Sequence, residues 1–425
     1  MKKLFTLLVA FVLSLTMMTS VSAIGLTPIE DESKLYIETA AVPSNVTSYA
    51  ADIFMHMGKP VWANFGISDS QLSNLTLSQG FRMISVNTMQ YSDIAYYFLI
   101  YAGNSVVAIM TISNVNGELG FQIERNLLTV DISEKLKNSA QPYRIYVSDN
   151  AYYFIQNNQI IHVSSDEYLY DKDRIADDCA VISNSIARST DNVIDATITN
   201  ISEPAASCSV NSNNDIYYSG DGCGIVPVNN VKYMLNENYG EYTCWASSIA
   251  SLCYYYYHGC VDSYSENDIS SASALRFEII YERLADNKGS LTTNVEQTVP
   301  YINRRLSLYD YSLTYYCKNS KLSWNSIINS IGNDQPSLMG WFYYDSTTGK
   351  YKNGHIMVLA GYNYAEHDPS LEEYHMLLIR DSNTKPIITS TGYKLYPLSV
   401  VKYGSAYTIN GTPNEWFNTV CTDLY

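Results

Sequence analysis

The stretch Glu241–Cys260, "EYTCWASSIASLCYYYYHGC", decides how the rest of the chain is read. Ile249, Leu252 and Cys253 fall on one face at helical spacing, so the segment is expected to be a helix. Its three cysteines then occupy three different environments. Cys244 stands at or just before the helix start, where unpaired backbone N–H groups favour an anion and lower a thiol's pKa. Cys253 lies deep in the helix beside Leu252, the place of a small buried hydrophobe. Cys260 follows the helix in "HGC", a loop position suited to a disulfide or a surface thiol, with Cys223 of "GDGCG" as a candidate partner. Cys244 is therefore the candidate nucleophile.

A cysteine nucleophile needs a base, and the C-terminal half offers His258, His355, His367 and His375. His258 ends the tyrosine run, where its charge suits a helix C-terminus. His367 lies in the polar turn "AEHDPS", and His375 is embedded in a strand. His355 follows Gly354 and opens an alternating apolar strand, which would hold its ring on rigid backbone. The base in turn needs an orienting group. Asp381 closes the next β run, "YHMLLIRD", and adjacent strands would bring its carboxylate to His355; Asn383, two residues on, could serve as an amide.

These motifs, "CWASS" (244–248), "NGHIMVLAGYN" (353–363) and "LLIRDSN" (377–383), resemble in order and kind the papain-like cysteine peptidases, in particular secreted bacterial branches with a C-W-A nucleophile motif. The resemblance covers residues 223–425. It implies a catalytic domain with a helical part and an antiparallel β part. It also implies Cys244 as nucleophile, His355 as general base and then acid, Asp381 as the group that orients the imidazole, and no cofactor. In the family, a side-chain amide six residues before the nucleophile, usually Gln, completes the oxyanion hole with the nucleophile's own N–H. Here that position is Asn238, an amide one methylene shorter, and this is where the sequence departs from the pattern. Trp245 is implied beside the site, on the substrate side. The resemblance also implies an N-terminal propeptide and a zymogen.

Outward from this core, residues 24–182 read as an α+β, β-rich module and the expected propeptide. "SYAADIFMHM" from Ser48 has helical spacing, and the runs at Ala95, Ser105, Leu119, Tyr143, Ala151 and Gln159 have strand character, several of them separated by Asn/Gly turns. Residues 183–222 are rich in Ser, Asn, Asp and Thr without sustained periodicity and read as a linker open to proteolysis. In residues 223–425, helical patterns come first, with Ser265 or Asn267 as an N-cap for the segment that follows, and strand patterns come after. The whole is expected to be α+β.

Residues 1–23 read as a signal peptide: Lys2 and Lys3, an apolar run from Leu4, and small residues closing at Ala23. No other stretch reaches the roughly 20 apolar residues of a membrane span, so the mature protein is expected outside the cell or at its surface, without membrane insertion. A formal net charge of −16 disfavours nucleic acid as a partner. The eight cysteines contain no CxxC pair, and no Cys/His cluster has zinc spacing. The 39 tyrosines suit half-buried strands and amphipathic surface, with a ligand platform as the other reading. The expected partners are a protein or peptide substrate and the chain's own propeptide. Two alternatives use the same residues: a transglutaminase-like or cell-wall amidase thiol enzyme, and a non-catalytic exported binding protein.

Overall fold

The computed structural model describes residues 35–134, 136, 141–148, 151–165, 172–188, 196–202, 204–207, 216–219, 225–228, 232–236, 239–258, 265–286, 295–345, 348, 350–365, 370–389 and 392–422. The signal-peptide segment, Cys223, Asn238, Cys260 and His367 lie outside the described residues. The chain is α+β.

Its frame is a sheet of 13 described strands, every pair antiparallel. One end is the N-terminal meander: Leu75–Ser78, Ala95–Ala102, Ser105–Val115 and Glu118–Glu124. The sheet then passes without a break into the C-terminal half through Ser399–Lys402, Met376–Arg380, Lys350–Ala365, Ser337–Asp345 and Thr412–Thr422. The junction is the pairing of Ile123 with Val400 and Gln122 with Val401. The two units are thus halves of one sheet.

Alternation along the strands explains why both faces are covered. Phe98, Ile100, Val358, Ala360, Leu378 and Val400 join a core that runs through both units, with Trp245, Ala246 and Ile249 of the helix Cys244–His258 packed into it. Their neighbours point the other way: Leu99 and Ile109 into a second cluster, Met357, Leu359, Leu377 and Ile379 into a third. A strand buried on both faces reads as a continuous apolar run. The two halves are also tied by polar bonds: Asn64 donates to the Leu398 carbonyl and accepts from the Leu398 N–H, both at 2.8 Å.

Local signals account for much of this. Ser265 caps the helix Glu266–Ala285 in a capping box, its Oγ accepting from the Asp268 N–H at 3.3 Å while the Asp268 carboxylate accepts from the Ser265 N–H at 2.6 Å. The strand expected at Ala95 runs Ala95–Ala102, and the one expected over 159–165 ends one residue sooner, at Gln159–Ser164.

The 183–222 stretch differs from expectation. A helix, Lys172–Arg188, runs across its start, and three strands follow. Ala196–Asn200 pairs with Tyr36–Ala40, Pro204–Ser207 with Leu75–Ser78, and Ile216–Ser219 with Lys350–Ala365. The helix forms because Ile175, Cys179, Ile182 and Ile186 make one apolar stripe that packs on a small cluster containing Tyr153 and Ile155.

Candidate active site

The helix begins at Cys244. Its first internal bond runs from the Ser247 N–H to the Thr243 carbonyl, so the N–H groups of Cys244, Trp245 and Ala246 precede the intrahelical ladder. Every residue from Cys244 to Tyr256 is buried, and the helix is locked to the histidine strand by Ser248, whose hydroxyl donates to the Ile356 carbonyl at 2.7 Å. That bond places the sulfur one turn away from the backbone next to His355.

His355 lies inside the strand Lys350–Ala365 rather than at its mouth, opposite Trp341. The register with Ser337–Asp345 slips between Trp341 and Tyr343, a bulge at the level of the histidine. Gly354 is required there by packing. A Cβ built on it would meet the Phe342 ring at 2.0 Å, so no side chain fits while Phe342 keeps its place.

Asp381 is the first residue beyond the strand Met376–Arg380, and the pairing of Arg380 with Val358 carries it back alongside His355. His355 Nε2 and Asp381 Oδ1 are 2.7 Å apart, both side chains buried. The same oxygen accepts the Asn383 N–H at 2.8 Å, so Asn383 contributes through its backbone. The other oxygen, Oδ2, accepts the Tyr407 hydroxyl at 2.7 Å. Arg380 braces the turn, its guanidinium donating to the Ile225, Tyr396 and Pro397 carbonyls.

The electrostatics follow from these contacts. Burial alone would depress the His355 imidazole, but the Asp381 charge, its hydrogen bond and a hydrogen bond with Cys244 raise it to about 10. Burial pulls the Asp381 carboxyl up. The His355 charge and the bonds from His355, Asn383 and Tyr407 outweigh it and hold Asp381 below the ordinary carboxylate range. Both shifts favour an imidazolium facing a carboxylate. Cys253, by contrast, is buried among apolar groups, which pushes its thiol up to about 12.

Cys244, His355 and Asp381, far apart in the chain, are thus in one place. Trp245 turns its indole into the helical layer, 6.1 Å from the Tyr301 ring and with the Arg283 guanidinium over it at 5.5 Å; it is 3% exposed. The tyrosine run ties this helix to its neighbours. Tyr254 donates to Asp268, Tyr256 meets the Tyr315 hydroxyl at 2.7 Å, and Tyr257 stacks on Tyr309. His258 stacks on Tyr254 and His375 on Trp324, each at 4.0 Å. Two participants escaped the sequence reading. Tyr407 stood in a β pattern, "GSAYTING", with nothing to mark its hydroxyl, and Glu124 closed an apolar strand 257 residues upstream of Asp381. No local signal distinguishes either.

Among the described residues no group of three His, Cys, Asp or Glu side chains is placed to hold a metal ion, and no helix is long and apolar enough to cross a membrane. No protein-family model matches the chain, and no curated protein does.

Proposed function

We propose that the chain is an exported cysteine endopeptidase of papain-like fold, with Cys244 as nucleophile, His355 as acid and base, and Asp381 as orienting carboxylate. The observation that carries this reading is the buried series from the Cys244 thiol through the His355 ring to Asp381, in which the ring uses Nε2 for the carboxylate. A thiolate beside an imidazolium attacks the scissile carbonyl, forming the S–C bond. The tetrahedral oxyanion is met by the helix-start N–H of Cys244, and the resemblance gives Asn238 the second donor. The His355 proton passes to the leaving amine as the C–N bond breaks. Water then gives a proton to the neutral ring and attacks the thioester, and the acid product leaves as the thiolate re-forms.

The N-terminal unit supports this site from within the same sheet. Its strand Glu118–Glu124 pairs beside the strand next to Asp381's own, and Arg125 exchanges bonds with the 385–386 backbone. We therefore favour a unit that stays docked over one that is cut away and lost.

The test is Cys244→Ala in the full chain. The variant is expected to secrete and melt like wild type, to lose casein hydrolysis, and to resist an epoxide thiol inhibitor. A Cys244→Ala protein that digests casein as fast as wild type ends this reading. Incorporation of a primary amine instead of peptide release would move it to the transferase alternative.

A further inference from the structure

Tyr407 has one hydroxyl proton and two carboxyl neighbours. Its oxygen lies 2.7 Å from Asp381 Oδ2 and 2.8 Å from Glu124 Oε2. A phenol can donate to only one of them. The other contact is a hydrogen bond only if that carboxyl brings its own proton. Asp381 is the poorer holder of a proton, since it faces the charged His355 ring and already accepts from the ring and from the Asn383 N–H. Glu124 has the matching arrangement. Its Oε1 accepts from Gln122 at 3.1 Å and from Asn126 at 2.7 Å, as a carbonyl oxygen would, which leaves Oε2 to carry the proton.

Resting on the peptidase reading, we propose that Glu124 is a protonated positioning residue for the active site, donating to Tyr407 so that Tyr407 donates to Asp381. Every group in the resulting chain is satisfied: Glu124 to Tyr407, Tyr407 to Asp381, and His355 to Asp381. All four side chains are buried.

The surroundings favour a neutral Glu124. The titratable groups facing it are Tyr407 and Asp381 from the C-terminal half, and Tyr97 and Tyr152 from strands of its own unit. Arg125 and Lys385 line the same cavity, but the Arg125 guanidinium is spent on the Val106, Val107 and Pro386 carbonyls. Burial, then the nearby Asp381 charge, raise the Glu124 carboxyl to about 7, against the bonds it accepts. Loss of this proton would leave two buried carboxylates competing for one phenol. Tyr407 could then hold Glu124 instead of Asp381, and the orientation of His355 would loosen. Because Glu124 belongs to the N-terminal unit, that unit supplies part of the active-site support.

Two measurements on the full chain test this. Infrared difference spectra between pH 6 and pH 9 read the protonated-carboxyl C=O band directly, where surface carboxylates are silent. Wild type is expected to lose such a band across about pH 7, and Glu124→Gln to lack it. The pH profile of kcat/KM reads positioning. Glu124→Gln keeps a donor toward Tyr407 at all pH and is expected to stay within about threefold of wild type at pH 6, without the ionisation near 7. Glu124→Leu, which removes the donor, is expected to lose about tenfold or more at pH 6, and a merely structural role would leave the pH profile of Glu124→Gln like that of wild type. Absence of the band in wild type, its persistence in Glu124→Gln, or superimposable pH profiles for wild type and Glu124→Gln overturn the proposal. If wild-type Cys244 alkylates no faster than an ordinary thiol, the peptidase reading fails, while the infrared band still decides where the proton sits.

Discussion

Replacing Asp381 by Asn isolates the charge of the orienting group, because the amide keeps the size of the side chain and one acceptor oxygen for His355 and the Asn383 N–H. The His355 imidazole stands at about 10 against an ordinary 6.5, a gap worth about 5 kcal/mol in favour of the charged ring. Most of that preference comes from the carboxylate, since burial acts against it. With an amide in its place, the ring should lose its proton near or below its ordinary value. The sign is fixed by the direction of the shift. A raised histidine stays charged until pH passes its folded-state pKa, so removing Asp381's charge erodes the imidazolium from the alkaline side. The alkaline limb of kcat/KM is expected to move down by about 3.5 pH units or more. At pH 8 the variant should fall at least about 30-fold below wild type, and at pH 5.5 it should stay within about fivefold. The assay is peptide hydrolysis across pH 5 to 10, paired with the rate of Cys244 alkylation by iodoacetamide. An Asp381→Asn variant with the wild-type alkaline limb would refute the argument that this carboxylate keeps the ring charged.

Gly354→Ala must displace the Phe342 ring, which an added methyl would meet at 2.0 Å, and should cost about 1–3 kcal/mol in urea unfolding together with much of the activity. A variant as stable and active as wild type would show that Phe342 moves aside freely. Stability should also fall as pH rises from about 5 to about 9. In that range folded Glu124 and His355 hold protons that the unfolded chain releases, so the native state binds more protons and loses ground with each step upward. Thermal melts at fixed ionic strength read the slope. Glu124→Gln should flatten it between about 5 and 7, and an unchanged slope there would remove Glu124 from the explanation.

Much of this was legible in sequence because the signals are local. The alternation in Ala95–Ala102, the Ser265 cap and the motifs around Cys244, His355 and Asp381 depend on neighbours a few residues away. Helix period, strand period and capping chemistry are short-range preferences, so they survive in one dimension. The helix Lys172–Arg188 was missed although Ile175, Cys179, Ile182 and Ile186 carry its period. Interspersed Asp, Ser and Asn diluted the pattern, and its stripe needs only a small cluster to cover it.

The amino-acid sequence by itself marked most of the helices and strands and singled out Cys244, His355 and Asp381 as candidates. Tertiary structure alone decided that the two halves share one sheet, that Trp245 faces the helical layer, and that Glu124 reaches Asp381 through Tyr407. The reason is that strand pairing across some 280 residues, Ile123 with Val400, leaves no mark on either segment. A carboxylate at the end of an apolar strand reads as a turn residue until the partner strand shows what it meets.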